Sequence, residues 1–572
     1  MQTTPPDVAG PSSLPRGPAA RRRSVLAAGA GAAAFAPWAV STDAGAAPGA
    51  ARGESQRLFR HGVASGDPLP RAVVLWTRVT PTAAAVPGSG RGPRVSVRWE
   101  VASDQHFRHV VRHGQVVTGP GRDHTVKVDA TRLQPGRWYW YRFRVGGVTS
   151  PVGRTRTAPP RTADVRRLRL GVVSCSHLEY GYFAAYRHLA DRRDLDAVLH
   201  LGDYLYERGP GEGDVRSHDP AHEIVSLPDY RRRHAQYKTD PDLQRLHARV
   251  PFIVTWDDHE VTNDSWAAGA ENHDAGEGDY LARKARAHRA YDEWMPVRMG
   301  RTARTGDGTR LFRRLQWGRL ADINMLDLRS YRDQQVSTPA PFPLPQLQTE
   351  ADDPGRTITG NQQMAWLKRA LLRRDTRWKL IGNSVMIAPL SFAQLPQEAV
   401  AAINEVTGEI PSDGAPLNLD QWDGYTADRR ELYAHLVDNR VANAVFLTGD
   451  IHSAWANDLP VDPATYPFSG SVGVEFVCTS VTSDNIDDVT GTPPRTSTLV
   501  LEAVLQTNNR HVKHLNFDDH GYSVLDVTPD RAQMDYYVLA DKRRADSAAH
   551  CSASWLTRSG SQRVEPAEAP VG

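Results

Sequence analysis

The sequence predicts an α/β body preceded by an Ig- or fibronectin-like β-sandwich, and three observations carry that expectation. From about Phe59 to Arg156 the chain reads as short alternating segments broken by turn residues. After Thr157-Ala158-Pro159-Pro160 it changes to apolar runs alternating with segments of helical spacing. Each apolar run then ends directly on polar residues, which is where open α/β sheets collect their chemistry.

At 572 residues the chain is too long for one core, and a leader followed by two folded units is expected. Hydrophobic residues make up 40% and charged residues 24%, close to ordinary globular usage, which argues against disorder and against a multi-span membrane protein. The formal charge is +3, and Arg16, Arg21, Arg22 and Arg23 against Asp7 and Asp43 place +2 of it in residues 1–46. The remainder is nearly neutral and gives no basis for a stable nucleic-acid partner.

Residues 21–40 read Arg-Arg-Arg-Ser-Val-Leu and then an apolar run rich in Ala and Gly, followed by Ala44-Gly45-Ala46. This is the layout of a cleaved export signal over residues 1–46. The run falls short of the roughly 20 residues a spanning helix needs, so no transmembrane span is expected in the mature chain. Arg22-Arg23-Ser24-Val25-Leu26 resembles the twin-arginine pattern. That resemblance implies recognition by the twin-arginine translocase, export in the folded state, and a secreted or cell-envelope location.

The sandwich is expected over residues 57–157, with strands at 73–78, 95–100 and 125–128. Leu133-Gln134-Pro135-Gly136 turns into the long alternating strand Arg137 to Val145, in which one aromatic is expected to cap a tyrosine corner. The second unit, residues 165–545, has buried strands at 168–173, 195–201, 252–256, 378–381 and 444–447. Helical segments lie between them, marked by Met364, Leu367, Leu371 and Leu372 and by Leu432, Leu436 and Val437. Gln334–Gly355 and Pro411–Gly424 look irregular, 522–527 and 533–538 read as a closing hairpin, and residues 546–572 read as a tail. Cys175, Cys478 and Cys551 are too few for a disulfide framework, and spacing leaves open whether Cys478 and Cys551 pair.

Four strand ends deliver side chains suited to a metal. Gly202-Asp203-Tyr204-Leu205-Tyr206 places a carboxylate behind a glycine and a phenol three residues on. Asp257-Asp258-His259-Glu260 crowds carboxylates and an imidazole into one turn, an arrangement that is costly unless a cation or solvent compensates. Gly449-Asp450-Ile451-His452 sets an acid and an imidazole two apart, and Cys175 closes another strand in Ser174-Cys175-Ser176-His177. Taken singly, Asp203 reads as a helix cap and Cys175 as a small buried hydrophobe. It is the joint placement after successive buried strands that points to a metal site. No Walker loop and no Gly-x-Ser-x-Gly elbow is present.

These motifs, together with His61-Gly62-Val63-Ala64-Ser65-Gly66-Asp67-Pro68, Val74-Leu75-Trp76-Thr77-Arg78, Leu328-Arg329-Ser330-Tyr331-Arg332-Asp333-Gln334 and Gly382-Asn383-Ser384-Val385-Met386, resemble the alkaline phosphatase D (PhoD) family. That family is related to the purple acid phosphatases and other metallophosphoesterases, and the resemblance spans nearly the whole chain after the leader. It implies a four-layer α-β-β-α catalytic sandwich. It also implies an iron (Fe3+) site made by Cys175, Asp203, Tyr206 and His452, with Asp203 bridging to calcium (Ca2+). Thiolate, phenolate and imidazole suit iron, whereas Asp258, Asn383 and Asp450 offer the oxygen that calcium prefers. The implied reaction is attack of metal-activated water on phosphate mono- or diesters, whether small molecules, envelope polymers or lipids. His259 is then expected to protonate the leaving oxygen or hold a phosphate oxygen, and Arg329 or Arg332 to clamp the phosphate. A phospholipase D with the same motifs, or an exported binding protein with a structural metal, are the other readings the residues leave open.

Overall fold

Three parallel strands with every residue buried, Leu168–Val173, Ala197–His200 and Phe252–Val254, lie near the centre of a ten-stranded sheet. Their continuous apolar runs are what a strand covered on both faces requires. A seven-stranded sheet is built around Ala321–Met325, Trp378–Asn383, Ala444–Thr448 and Ser471–Val477, again parallel to one another. These positions belong to a computed structural model that describes residues 48–211, 213–299, 310–336, 349–391, 416 and 418–572. The expected leader lies outside the described residues, as do 337–348, 411–415 and 417 of the two irregular stretches.

Alternate residues of each strand face opposite ways. Leu170, Leu199 and Ile253 therefore meet Ile323, Leu380 and Val445 of the other sheet in one apolar core. Val173, Val198 and Val254 turn instead toward helices Ala184–Asp191, Leu227–Tyr237, Pro241–Arg249 and Tyr280–Trp294. On the far side, Ile381 and Phe446 pack against helices Asn361–Leu371 and Thr426–Asp438. The architecture is mixed α/β, with two large sheets facing each other and helices on their outer faces.

The first segment departs from a self-contained sandwich. Val63–Leu69, Ala72–Arg78 and Thr125–Ala130 continue the ten-stranded sheet, entering it where Gly66 pairs with Phe252. Val95–Ala102, Val110–Thr118, Trp138–Val145, Val148–Thr149 and Gly153–Arg156 form a separate sheet. Between the two lies a core containing Val73, Leu75, Val97, Val101, Tyr141 and Phe143. Tyr139 is the expected corner aromatic, its hydroxyl accepting the Gln134 N–H at 2.9 Å.

The reading of residues 546–572 as a tail is corrected. Ala549–Arg558 pairs with Arg531–Leu539, and Val564–Pro566 closes that edge of the ten-stranded sheet. Hydrophobic content is low there because the strands border solvent, so the pattern gave no buried-strand signal. Cys478 and Cys551 are both free.

Asp67 of the first segment is 1% exposed and fixes this segment to the body. Its carboxylate accepts from Arg313 Nε at 2.8 Å and Nη2 at 2.6 Å, and from the Arg298 N–H at 2.8 Å. Replacing Asp67 with Asn, which tolerates the left-handed backbone at φ 46°, should cost about 3 kcal/mol by leaving Arg313 without its counter-charge. Urea unfolding of the variant checks this, and a midpoint equal to that of the parent protein would refute it.

Candidate metal centre and active site

Register sets the site. Val173, His200 and Val254 are cross-strand partners at the carboxyl ends of their strands, so Cys175, Asp203 and the Asp257–Glu260 turn emerge along one edge. In the other sheet Asn383 pairs with Thr448, and Asp450 follows two residues later. A parallel bridge between Ser174 and Ser480 joins the two sheets at this edge.

The backbone at the edge is specialised. A Cβ on Gly202 would lie 2.5 Å from the Asp257 Cβ, and one on Gly449 would lie 2.7 Å from the Ser174 Cβ, so both motifs need glycine for the loops to approach. Cys175, Asp203, Asp450 and His452 all adopt positive φ, between 53° and 63°. Four non-glycine residues held in a sparsely populated region are a mark of a site whose geometry the surrounding fold imposes.

Three groups of side chains converge, Asp203 belonging to the first two and Asp258 to the last two. Ligand atoms of Cys175, Asp203 and His452 lie within 4.8 Å of one another. Tyr206 joins them, its hydroxyl 2.9 Å from Asp203 Oδ2 and 3.3 Å from His452 Nε2, with Ser483 Oγ at 2.6 Å. His452 Nδ1 is 2.8 Å from the Asp484 carbonyl, which can only accept, so the proton sits on Nδ1 and Nε2 is left as a ligand atom. Beside this group, Asp203, Asp258 and His259 form a second set within the same reach, and Asp257, Asp258 and Asp450 a third.

The donor chemistry fits cations. Asp203 Oδ1 and Asp258 Oδ1 are buried without a hydrogen-bond partner, an expensive condition for a carboxylate. Burial pushes the Asp203 carboxyl well above its ordinary range, and Asp258, Asp257 and Glu260 add to it against the opposing charge of His259. Asp450 is raised by burial and by Asp257. Burial likewise pushes the Cys175 thiol up, with Asp203 adding to the effect. Each of these shifts would be reversed by positive charge among the oxygens.

His259 lies against the Tyr206 ring, with centroids 4.1 Å apart, and its Nδ1 is 2.7 Å from Glu207 Oε2. Burial works against its charge, but Glu207, Asp258 and Asp203 outweigh burial and hold its pKa well above the usual imidazole value. Glu207 is fully buried; burial opposes its ionisation, yet His259 and the Asn263 N–H hold it down at about 2. This leaves His259 Nε2 as the atom facing the site.

Three expected residues are placed differently. Asn383 has part of its capacity already used: Oδ1 accepts from the Trp422 indole at 3.1 Å, leaving one lone pair, while Nδ2 donates to the Val385 carbonyl and Thr448 Oγ1. Because an indole only donates and a carbonyl only accepts, this orientation is fixed. Arg332 is completely buried and spends its nitrogens on Ser265 O, Asp420 O and Gln335 Oε1, so it braces loops instead of clamping phosphate. Arg329 reaches the site, but as a counter-charge. It grips Asp257 through Nε at 2.6 Å and Nη2 at 3.1 Å, and also touches Asp420 and Asp450.

Sequence reasoning gave no role to Glu207, Glu260, Ser483 or Asp420. The two glutamates stand inside motifs already singled out, so their position was the available signal, whereas Ser483 arrives from 277 residues away with none. Glu260 accepts from the backbone N–H groups of Asp203 at 3.2 Å, Tyr204 at 2.6 Å and Asp257 at 2.8 Å. One carboxylate thereby ties together the two turns that carry the acidic ligands.

Residues 170–536 match the PhoD-like phosphatase family, and residues 44–159 match the PhoD-like phosphatase N-terminal domain. Alkaline phosphatase D of Bacillus subtilis (strain 168) is 38% identical over 507 residues, covering 87% of this chain and 80% of that protein. The solved structure of PhoD superposes with a TM-score of 0.78 at 35% identity, over 90% of this chain and 93% of that one. Sheets, converging acids and these similarities define a phosphoric ester hydrolase. The chain belongs to the PhoD-like phosphatase family.

Glu260→Ala should lower kcat/KM for a nitrophenyl phosphate ester about 10- to 100-fold by loosening both acidic turns. Steady-state kinetics on the folded variant is the measurement, and an unchanged rate would mean the turns are held by other contacts.

Proposed function

We propose that this chain is an exported alkaline phosphatase and phosphodiesterase that works with iron and calcium. The observation that carries the proposal is Asp203, which stands in both the Cys175–His452 group and the Asp258–His259 group and keeps one buried oxygen unpartnered. Cys175, Asp203, Tyr206 and His452 supply the mixed thiolate, phenolate and imidazole set suited to ferric iron. Asp203, Asp258 and Asp450, with Asp257 at hand, supply the hard oxygens suited to calcium. Bound there, such cations would lower the pKa of water and offset charge on the phosphoryl oxygens.

The chain's own residues do the rest. Glu207 fixes His259 by its Nδ1, so the opposite nitrogen carries a proton toward the leaving oxygen. The Asp484 carbonyl sets the His452 tautomer, and Ser483 orients the Tyr206 hydroxyl. Arg329 holds Asp257 and Asp450 in place from behind, limiting repulsion among the acids. No serine or cysteine attack is assigned, because Cys175 faces the ligand cluster and its thiol is pushed up by burial.

Two variants and one chelation separate these roles. Cys175→Ser should lose iron and the visible charge-transfer colour. His259→Ala should keep both and lose about a hundred- to ten-thousand-fold in rate. Removing calcium with a chelator should abolish turnover while leaving the colour, and adding it back should restore activity. A colourless active enzyme holding only zinc would overturn the assignment.

Export rests on Arg22 and Arg23 with the apolar run that follows them. Among the described residues no helix is long and apolar enough to cross a membrane. Replacing both arginines with lysine should leave phosphatase activity inside the cell, as judged by assaying medium, envelope and cytoplasm separately. Undiminished extracellular activity would count against a twin-arginine route.

A further inference from the structure

The first segment carries a groove of about 780 Å³. Trp138, Tyr139 and Trp140 are among its lining residues, together with Arg112, Arg132 and Arg137, and none of the eleven lining residues is acidic. Among the described residues no carboxylate pairs with any of these three arginines. Arg112 is pinned by the Thr131, Val111 and Arg132 carbonyls, which fix its charge without neutralising it. Arg132 has a φ of 60°, a conformation that an arginine adopts at some cost and that the fold imposes here.

The adjoining sheet face extends the basic surface. Arg98 and Arg144 are direct cross-strand partners, a like-charge juxtaposition that destabilises a sheet unless something negative lies over it. Arg154 is the partner of Trp140 across the next strand pair and stacks over Trp138, its guanidinium carbon 3.4 Å from the ring centroid. Arg142 has its own acid, Glu100 at 2.7 Å, whereas among the described residues no ion pair is formed by Arg98 or Arg144. Several arginines without a carboxylate partner among the described residues, beside a half-buried indole, match a chain of repeated anions whose intervening units have apolar faces.

We propose that this groove is a non-catalytic binding site for a linear polymer of phosphate-linked polyol or sugar units. The arginines take the phosphates and Trp140 takes the carbon face of a unit. A single-stranded nucleic acid fits less well, because it calls for successive stacking platforms and Arg154 already covers the face of Trp138. The inference rests on the phosphoester reading of the active site for its biological use, but not for the binding itself. Holding the polymer on the first segment would raise the effective concentration of its ester bonds at the catalytic edge.

The test uses the full chain with a glycerol-phosphate oligomer as probe. An Arg132→Ser/Arg137→Ser double variant and a Trp140→Ala variant are compared with the parent protein after their thermal transitions are matched. Affinity for the oligomer should fall at least about ten-fold in both. In the double variant the slope of log K against log salt should also flatten by roughly one to two. Hydrolysis of nitrophenyl phosphate should be unchanged, while KM for the oligomer rises and kcat holds. Equal oligomer binding by parent and variants would overturn the proposal. So would tighter binding of an oligothymidylate of the same length, or equal competition by neutral dextran. A parent protein that binds the oligomer but hydrolyses no phosphoester would leave the groove intact and remove the catalytic reading.

Discussion

Everything at the catalytic edge depends on one electrostatic constraint, the burial of like charges at close quarters. Asp203, Asp257, Asp258, Glu207 and Glu260 are each 3% exposed or less, and Asp450 stands beside them. Arg329, His259 and a set of backbone N–H groups answer part of that charge. Asp203 Oδ1 remains unanswered, and Asp258 Oδ1 has no hydrogen bond and only the Arg329 guanidinium at 3.6 Å. A buried acid without a partner is tolerated only where a proton or a cation completes it, so the cluster is built around positive charge that the side chains alone do not provide.

The parallel register makes such a cluster possible. Aligned strand ends bring three loops to one line, glycines let them touch, and left-handed backbone at four expected ligands turns their side chains inward. Each of these features is unfavourable for an isolated segment and is sustained by the two-sheet core beneath it. The strained residues and the unpaired acids therefore occur together for one reason: both need a rigid support, and the same strands supply it.

Much of this was legible before any coordinates. Strands covered on both faces announce themselves as unbroken apolar runs, and the polar residues that end them stand where the chemistry is. Cys175, Asp203, Tyr206, Asp258, Asp450 and His452 stand at or just beyond such strand ends, and the structure brings their side chains together. What sequence did not disclose was partnership. Asn383, Arg329 and Arg332 have the chemistry of a ligand or a clamp, and only tertiary contacts reveal that Trp422, Asp257 and Asp420 already engage them. The edge strand Ala549–Arg558 was missed for a related reason, since a half-solvated strand lacks the signature of a buried one.

The first segment's place in the ten-stranded sheet gives its motif a physical meaning. The strand residues Gly66-Asp67-Pro68 start from the Gly66–Phe252 pairing with Phe252–Val254, the strand that leads to Asp257 and Asp258. Asp67 holds Arg313, and Arg313 Nη2 also donates to the Val254 carbonyl at 2.9 Å. A carboxylate in the first segment, a guanidinium from the second sheet and the last strand residue before an acidic turn therefore form one continuous contact. The segment is thus part of the frame that holds the strand leading into the Asp257–Glu260 turn, so its Asp67 motif acts on the same edge as the acidic cluster.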